Sequence, residues 1–322
     1  MSMPALFRGR LSIPVIGAPM FIVSVPDLVI AQCKAGIVGS FPALNARPPA
    51  LLDEWLARIK EELAAYDKAH PERPSAPFAV NQIVHRSNNR LEQDLAQCEK
   101  HKVPMIITSL GAREELNQAA HGWGGIVFHD VINQKFAHKA IEKGADGLIL
   151  VAAGAGGHAG RISPFAFVAE TRQWFGGPIA LSGAMGNGRA IRAARLLGAD
   201  FAYVGSAFIA TAEANAVEGY KQMVTTSTAE DIVYSNLFTG VHGNYLKASI
   251  VAAGMDPDNL PESDASKMSF GTDAKGERAR PKAWKEIWGS GQGVGSVGTV
   301  VPAAELIARF RREYAEAVDP PL

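Results

Sequence analysis

Apolar runs rich in β-branched residues recur along the first two-thirds of the chain, separated by segments with helical spacing. The runs cover residues 14–20, 36–41, 78–83, 104–110, 125–131, 146–152, 178–185 and 200–209. Most are continuous rather than alternating, the pattern of parallel strands covered on both faces. Between them lie helix-like segments at 26–34, 48–68, 89–101, 113–121, 133–143 and 189–197. In the second of these, Leu51, Leu52, Trp55, Ile59 and Leu63 fall on one helical face. Gly36, Gly144 and Gly198 stand just past the last periodic residue of theirs, where helices stop. Eight strands alternating with helices predict an α/β fold, a (β/α)8 TIM barrel. K-G-A-D at 143–146 and L-G-A-D at 197–200 recur where a helix gives way to a strand, a weak echo of repeated βα units.

After residue 209 the pattern changes. Residues 211–224 read as helix, and 225–229 are polar. Residues 231–253 are apolar with His242, Asn244 and Tyr245 interspersed, and 256–282 are rich in Pro, Ser, Asp, Gly and charge. The expected organisation is a barrel of residues 1–211 plus 296–322, with a smaller helical and loop-rich domain at 212–295 covering the substrate. An amphipathic helix over 302–315 is expected to pack back on the barrel.

Composition narrows the function classes. At 322 residues, 47% apolar and 20% charged, the chain reads as globular rather than disordered. Lys plus Arg equals Asp plus Glu, at 32 each, which removes an electrostatic case for nucleic acid or an anionic membrane. No run reaches the roughly 18 unbroken apolar residues of a spanning helix, and no leader segment is evident, so the cytoplasm is the expected location. Cys33 and Cys98 stand alone in helical segments and read as structural. The first strand ends in G-A-P-M at 17–20 rather than G-x-G-x-x-G, against a doubly wound dinucleotide fold. No G-x-S-x-G elbow appears.

Barrel enzymes place their chemistry at the carboxyl ends of the strands, with phosphate after the seventh and eighth. Here the seventh strand runs into L-S-G-A-M-G-N-G at 181–188 and opens a helix at Arg189, and the eighth into V-G-S-A-F at 204–208. Bare amides around Ser182, Gly183, Gly186 and Gly205, with the Ser206 hydroxyl, predict an anion cradle. Two ordinary βα turns would also favour glycine. Ala18, Pro19 and Met20 offer an apolar platform, while Asn81 and Ser109 end the third and fourth strands and read equally as loop caps. A phosphate beside a flat platform points to FMN.

The sixth strand enters V-A-A-G-A-G-G-H-A-G at 151–160. Small residues such as Gly157 let a backbone approach a flat ligand. His158 is the only side chain in that stretch able to exchange a proton near pH 7, which makes it the candidate base. His85, His129 and His242 read as loop or capping histidines, too dispersed for a metal site. Trp284 and Trp288 wall the pocket or fill core.

Several of these stretches together carry a resemblance. They are A-P-M at 18–20, A-V-N at 79–81, A-G-G-H-A-G at 155–160, Ser182-Gly183 with Gly186 and Gly188, Gly205-Ser206, and W-G-S-G-Q-G at 288–293. In that order the chain resembles the nitronate monooxygenase family, once called 2-nitropropane dioxygenases, over nearly its whole length. The resemblance implies noncovalent FMN touched by Met20, Asn81, Gly183, Gly205, Ser206 and Gln292, with His158 taking a proton or orienting substrate. It implies oxidation of alkyl nitronates or nitroalkanes with O2 to carbonyl compounds and nitrite, without nucleic acid or membrane partners. Some relatives carry a lysine after the fifth strand, where this chain has His129-Asp130. The family also includes quinone and enoyl-thioester reductases. An NAD(P)H-dependent flavin reductase therefore stands as an alternative, beside a non-catalytic FMN-binding protein and a flavin-free phosphosugar enzyme. A homodimer is the commonest default assembly.

Overall fold

The computed structural model describes residues 4–263 and 287–318. Eight of its strands make one parallel sheet. They are β1 (Val15–Gly17), β2 (Gly39–Pro42), β3 (Phe78–Ile83), β4 (Met105–Ser109), β5 (Ile126–Val131), β6 (Gly147–Val151), β8 (Ile179–Ser182) and β9 (Phe201–Val204). Their order around the sheet is β1-β9-β8-β6-β5-β4-β3-β2, and a parallel bridge from Ile16 to Val38 brings the two ends together. Helices α1 (Pro26–Lys34), α2 (Leu51–Ala69), α3 (Leu91–Lys100), α4 (Glu114–Gly122), α5 (Gln134–Glu142), α6 (Pro164–Arg172) and α7 (Gly188–Leu197) connect them. The expected (β/α)8 barrel is the fold.

Alternating strand residues fill the inside. Ile16, Val38, Ala79, Met105, Ile107, Phe128, Ile149, Ala180 and Phe201 form one buried cluster. Phe7 joins it, edge-on to Phe201 at 4.9 Å and to Phe128 at 6.4 Å, so an N-terminal aromatic stops the barrel's amino end. The opposite strand faces pack on the helices. Cys33 and Cys98 are buried in that layer, and loss of hydration pushes both thiols up to about 12. The repeated G-A-D phrase has a physical role. Asp146 accepts the Val127 amide at 2.7 Å, and Asp200 accepts the Ile179 amide at 2.9 Å. Each carboxylate thus ties the start of its strand to the start of the preceding one.

Two strand ends come earlier than the apolar runs suggest. β8 stops at Ser182, because Gly183 turns the backbone to φ +125. β9 stops at Val204, and Ser206–Ile209 form a short helix, α8, rather than more strand. The helix α6 is missing from the sequence reading. Its signal is Ser163-Pro164, with proline at the first helical position.

Beyond the barrel come α9 (Glu218–Thr226), α10 (Lys247–Ala252) and a hairpin of β10 (Ile232–Ser235) and β11 (Gly243–Leu246). The hairpin pairs on with β7 (Gly157–His158), making a three-stranded antiparallel sheet where helix and loop alone were expected. Trp284 and much of the 256–282 stretch lie outside the described residues. The closing helix α11 (Ala303–Glu316) packs on α1 and α7. Among the described residues no helix is long and apolar enough to cross a membrane.

Candidate active site

The carboxyl ends of the barrel strands open into one cavity of about 960 Å³, at the upper end of small-molecule sites. Ala18, Pro19 and Met20 after β1 form one wall. Asn81 and Ser109, from β3 and β4, line the same space with His129 and Asp130 of β5. Gly157 and His158 after β6, Ser182 and Gly183 at the end of β8, and Gly205 and Ser206 after β9 complete the ring.

Hydrogen-bond directions decide what these groups offer. Asn81 Nδ2 donates to the Ile107 carbonyl at 3.1 Å and to Ser109 Oγ at 2.7 Å. Both amide hydrogens are thereby committed, so Asn81 presents only its Oδ1 acceptor to a ligand. Ser109 Oγ donates onward to Asp130 Oδ2 at 2.5 Å, and the Leu110 amide also serves that carboxyl. Burial nevertheless dominates, and pushes Asp130 up to about 6. His129 is buried with Nδ1 on Thr108 Oγ1 at 2.5 Å, and burial pushes it down to about 4, so it is neutral at pH 7.

The raised Asp130 has a consequence for stability. Between about pH 4 and 6 the folded chain holds a proton there that the unfolded chain releases, so this group lowers stability as pH rises through that window. Asp130→Asn removes the ionisation. Its effect on unfolding free energy should be more favourable at pH 8 than at pH 4 by roughly 2–3 kcal/mol. Urea unfolding at the two pH values measures this, and equal effects would mean that Asp130 ionises freely.

Of the groups expected to form an anion cradle, only some have an uncommitted donor. Among the described residues, no backbone carbonyl takes the amides of Gly183, Met185 or Gly205. All three residues line the cavity. Ser206 Oγ accepts the Gly291 amide at 2.8 Å, which leaves its hydroxyl hydrogen for a ligand. The start of α7 does not contribute. Asn187 Oδ1 caps the Ala190 amide at 2.9 Å, and Glu313 Oε2 accepts the Gly188 amide at 2.7 Å. A carboxylate of the chain itself thus stands where sequence reading put phosphate.

Two residues expected to touch the flavin lie off this wall. Gly186 is outside the cavity wall, and a Cβ there would stand 2.2 Å from the Gly293 carbonyl. Its glycine lets two loops touch. Gln292 is exposed and also off the wall; its amide bonds the Gly154 carbonyl at 2.9 Å and its side chain covers Gly154. His85 caps the Ser87 amide and does not reach the cavity, whereas His129 and His242 line it. Trp288 stacks on Tyr220 at 5.0 Å, and both line the wall.

His158 is half-buried on β7, with Nε2 2.9 Å from Thr239 Oγ1. Lost hydration pushes its imidazole down to about 4, so it is neutral and able to accept a proton at pH 7. Residues that sequence reading missed hold its loop. Asn244 Nδ2 donates to the Ala155 carbonyl at 2.6 Å, the Ala159 amide donates to the His242 carbonyl at 3.1 Å, and Tyr234 Oη donates to the Ala159 carbonyl at 3.0 Å. Only the alternation of β10 and β11 hinted at them.

The barrel gathers strand-end glycines, amides without a backbone-carbonyl partner among the described residues and a neutral imidazole around one cavity, the layout of a small-molecule enzyme site. The family model described as nitronate monooxygenase matches residues 8–313, and the chain belongs to that family, a family of oxidoreductases. A nitronate monooxygenase of Paraburkholderia phytofirmans is 29% identical, over 95% of this chain and 93% of its own. The fold is shared with a nitroalkane oxidase of Streptomyces ansochromogenes, at TM-score 0.79 and 21% identity, over 96% of this chain and 97% of that one. FabK of Thermotoga maritima shares it at TM-score 0.74 and 20% identity, over 97% and 94% of the two chains.

Proposed function

We propose that the chain is an FMN-dependent monooxygenase that oxidises alkyl nitronates with O2 to carbonyl compounds and nitrite. The observation that carries this is one cavity holding three amides, at the ends of β8 and β9, that have no backbone-carbonyl partner among the described residues, together with His158 on the strand beyond β6. The residues fit the cofactor. The amides of Gly183, Met185 and Gly205 and the Ser206 hydroxyl suit a phosphate, and the small residues 154–157 suit a flat ring. Asn81 Oδ1 suits a ring N–H donor. When bound, the flavin accepts electrons from the substrate.

The remaining chemistry falls to the chain's own groups. Lys139 and Arg161 line the cavity and have no carboxylate partner among the described residues. Lys139 is exposed on α5 and Arg161 on the loop before α6. Among the described residues the single carboxyl on the wall is Asp130, which is largely protonated below pH 6. The cavity thus favours an anion such as a nitronate. For a neutral nitroalkane, His158 takes the α-proton while the C–H electron pair moves to the nitro group. A base pushed down to about 4 is weak for such a carbon acid, so preformed nitronates should be the better substrates.

The test is the purified protein's absorbance spectrum followed by anaerobic mixing. A bound flavin that bleaches with nitronate and not with NADH supports the reading. Rapid bleaching by NADH alone would replace it with a reductase, and a colourless protein that takes up no FMN would end it.

A further inference from the structure

Proton transfer from the substrate leaves the carboxyl at the end of β5 without a role. Asp130 is the one carboxyl on the cavity wall among the described residues. Its partners are neutral donors, Ser109 Oγ at 2.5 Å and the Leu110 amide. Ser109 in turn belongs to a directed chain, because Asn81 Nδ2 donates to Ser109 Oγ at 2.7 Å. The carboxyl is thus two hydrogen bonds from the amide whose Oδ1 suits a ring N–H. Strand order adds a second link. β5 lies beside β6, which leads into the small residues 154–157, and is separated from β3, which carries Asn81, by β4 alone. A ring supported at both places spans the ends of β4 and β5. The other groups around Asp130 are neutral at pH 7. Tyr203 of β9 is within electrostatic reach; burial first, and the Asp130 charge second, push its phenol up. His129 stands next to it on β5 with its imidazole pushed down by burial. β6 sets buried Ile149 opposite it in the ladder. Lys139 and Arg161 line the same cavity, exposed, and make no ion pair with it.

Resting on the functional reading above, we propose that Asp130 sets the charge around the bound flavin: its carboxylate opposes the entry of electrons and takes up a proton when they enter. Two electrons and one proton added to a flavin ring leave it with one negative charge. Two negative charges within one buried wall repel strongly, because water does not screen them. Asp130 removes its own by taking a proton from solvent, which forms its O–H, while the reductant that supplied the electrons is oxidised. Where Asp130 is ionised beforehand, the flavin is harder to reduce. That suits a flavin that must hand its electrons on to O2. A carboxyl that only fastened β4 to β5 would leave the flavin's reduction unaffected.

The experiment is an anaerobic dithionite titration of the FMN-loaded protein against a reference dye, in half-unit steps from pH 5 to 8. Wild type is compared with Asp130→Asn, which keeps an acceptor for Ser109 and the Leu110 amide. Near pH 5 Asp130 is mostly protonated before any electron enters, so the two reduction constants should agree within threefold. At pH 8 the flavin of Asp130→Asn should be at least tenfold easier to reduce, about 30 mV for a two-electron couple. Ser109→Ala removes a donor that favours the carboxylate, and should move the onset of the pH dependence upward. This variant decides the matter if Asp130→Asn does not fold. A ratio between wild type and Asp130→Asn that is the same at pH 5 and pH 8 overturns the assignment, as does an onset that Ser109→Ala leaves in place. A chain that takes up no FMN ends the functional reading and this assignment together, whereas a loaded chain with a constant ratio ends the assignment alone.

Discussion

His158→Ala should leave the flavin bound and cut turnover of neutral nitroalkanes by 10²–10⁴-fold, the usual contribution of a positioned base. His158 lines the cavity wall from β7 and is not among the residues that hold the anion cradle, so cofactor retention should survive its loss. Preformed nitronate arrives already deprotonated and should lose less than tenfold. The pH dependence should separate this base from an ordinary histidine. The imidazole must be neutral to work, so activity falls as pH drops through its pKa. With burial holding that value near 4, the wild-type nitroalkane profile should stay flat from about pH 8 down to 5. Steady-state kinetics on both substrate forms across that range measure all of this. An unchanged nitroalkane rate in His158→Ala would remove the residue from the mechanism.

Gly205→Val should yield a folded protein that has lost flavin affinity at least tenfold, about 1.4 kcal/mol. The reasoning turns on what a side chain meets there. Gly205 has φ −113, which L-residues adopt readily. A Cβ would lie 3.4 Å from Ala18 Cβ and 3.6 Å from Met20 Sδ, ordinary contact distances. The protein can therefore accommodate the change, and the added bulk enters the cavity between the first and last strand ends. Gly183 is a poorer probe. Its φ of +125 and a Cβ placed 2.6 Å from the Ala153 carbonyl would strain the backbone as well. Fluorescence titration of refilled protein, with circular dichroism as a control for folding, gives the answer. Full flavin retention by Gly205→Val would move the cradle elsewhere.

The barrel was legible because parallel strands covered on both faces need continuous apolar runs, and these stand out between helices. Their ends were harder to read. Ser182-Gly183 and Val204-Gly205 sit inside runs that stay apolar past the turn, so periodicity carries on where backbone geometry stops. Asn81, Ser182, Gly183, Gly205 and Ser206 line the cavity, and they could be singled out because the strand-end rule for barrels is geometric. Gly186 and Gln292 lie off that wall for a complementary reason. A glycine pressed against the Gly293 carbonyl looks, in sequence, the same as one pressed against a ligand. Asn244 and Thr239 were invisible as site residues, and Asp130 was visible only as part of the pair standing where relatives carry a lysine. Their roles depend on which hydrogen meets which lone pair, and on a hairpin whose strands are four residues each.

The bond from the Gly188 amide to Glu313 ties the loop bearing Gly183 and Met185 to the last helix of the chain. A Cβ at Gly188 would stand 2.2 Å from the Phe310 carbonyl, so the two helices touch backbone to backbone. That clasp joins two segments 125 residues apart in the chain, so it exists only once both have folded. A chain whose α11 has come away from α7 would therefore carry an open seam beside the turn that bears Gly183 and Met185.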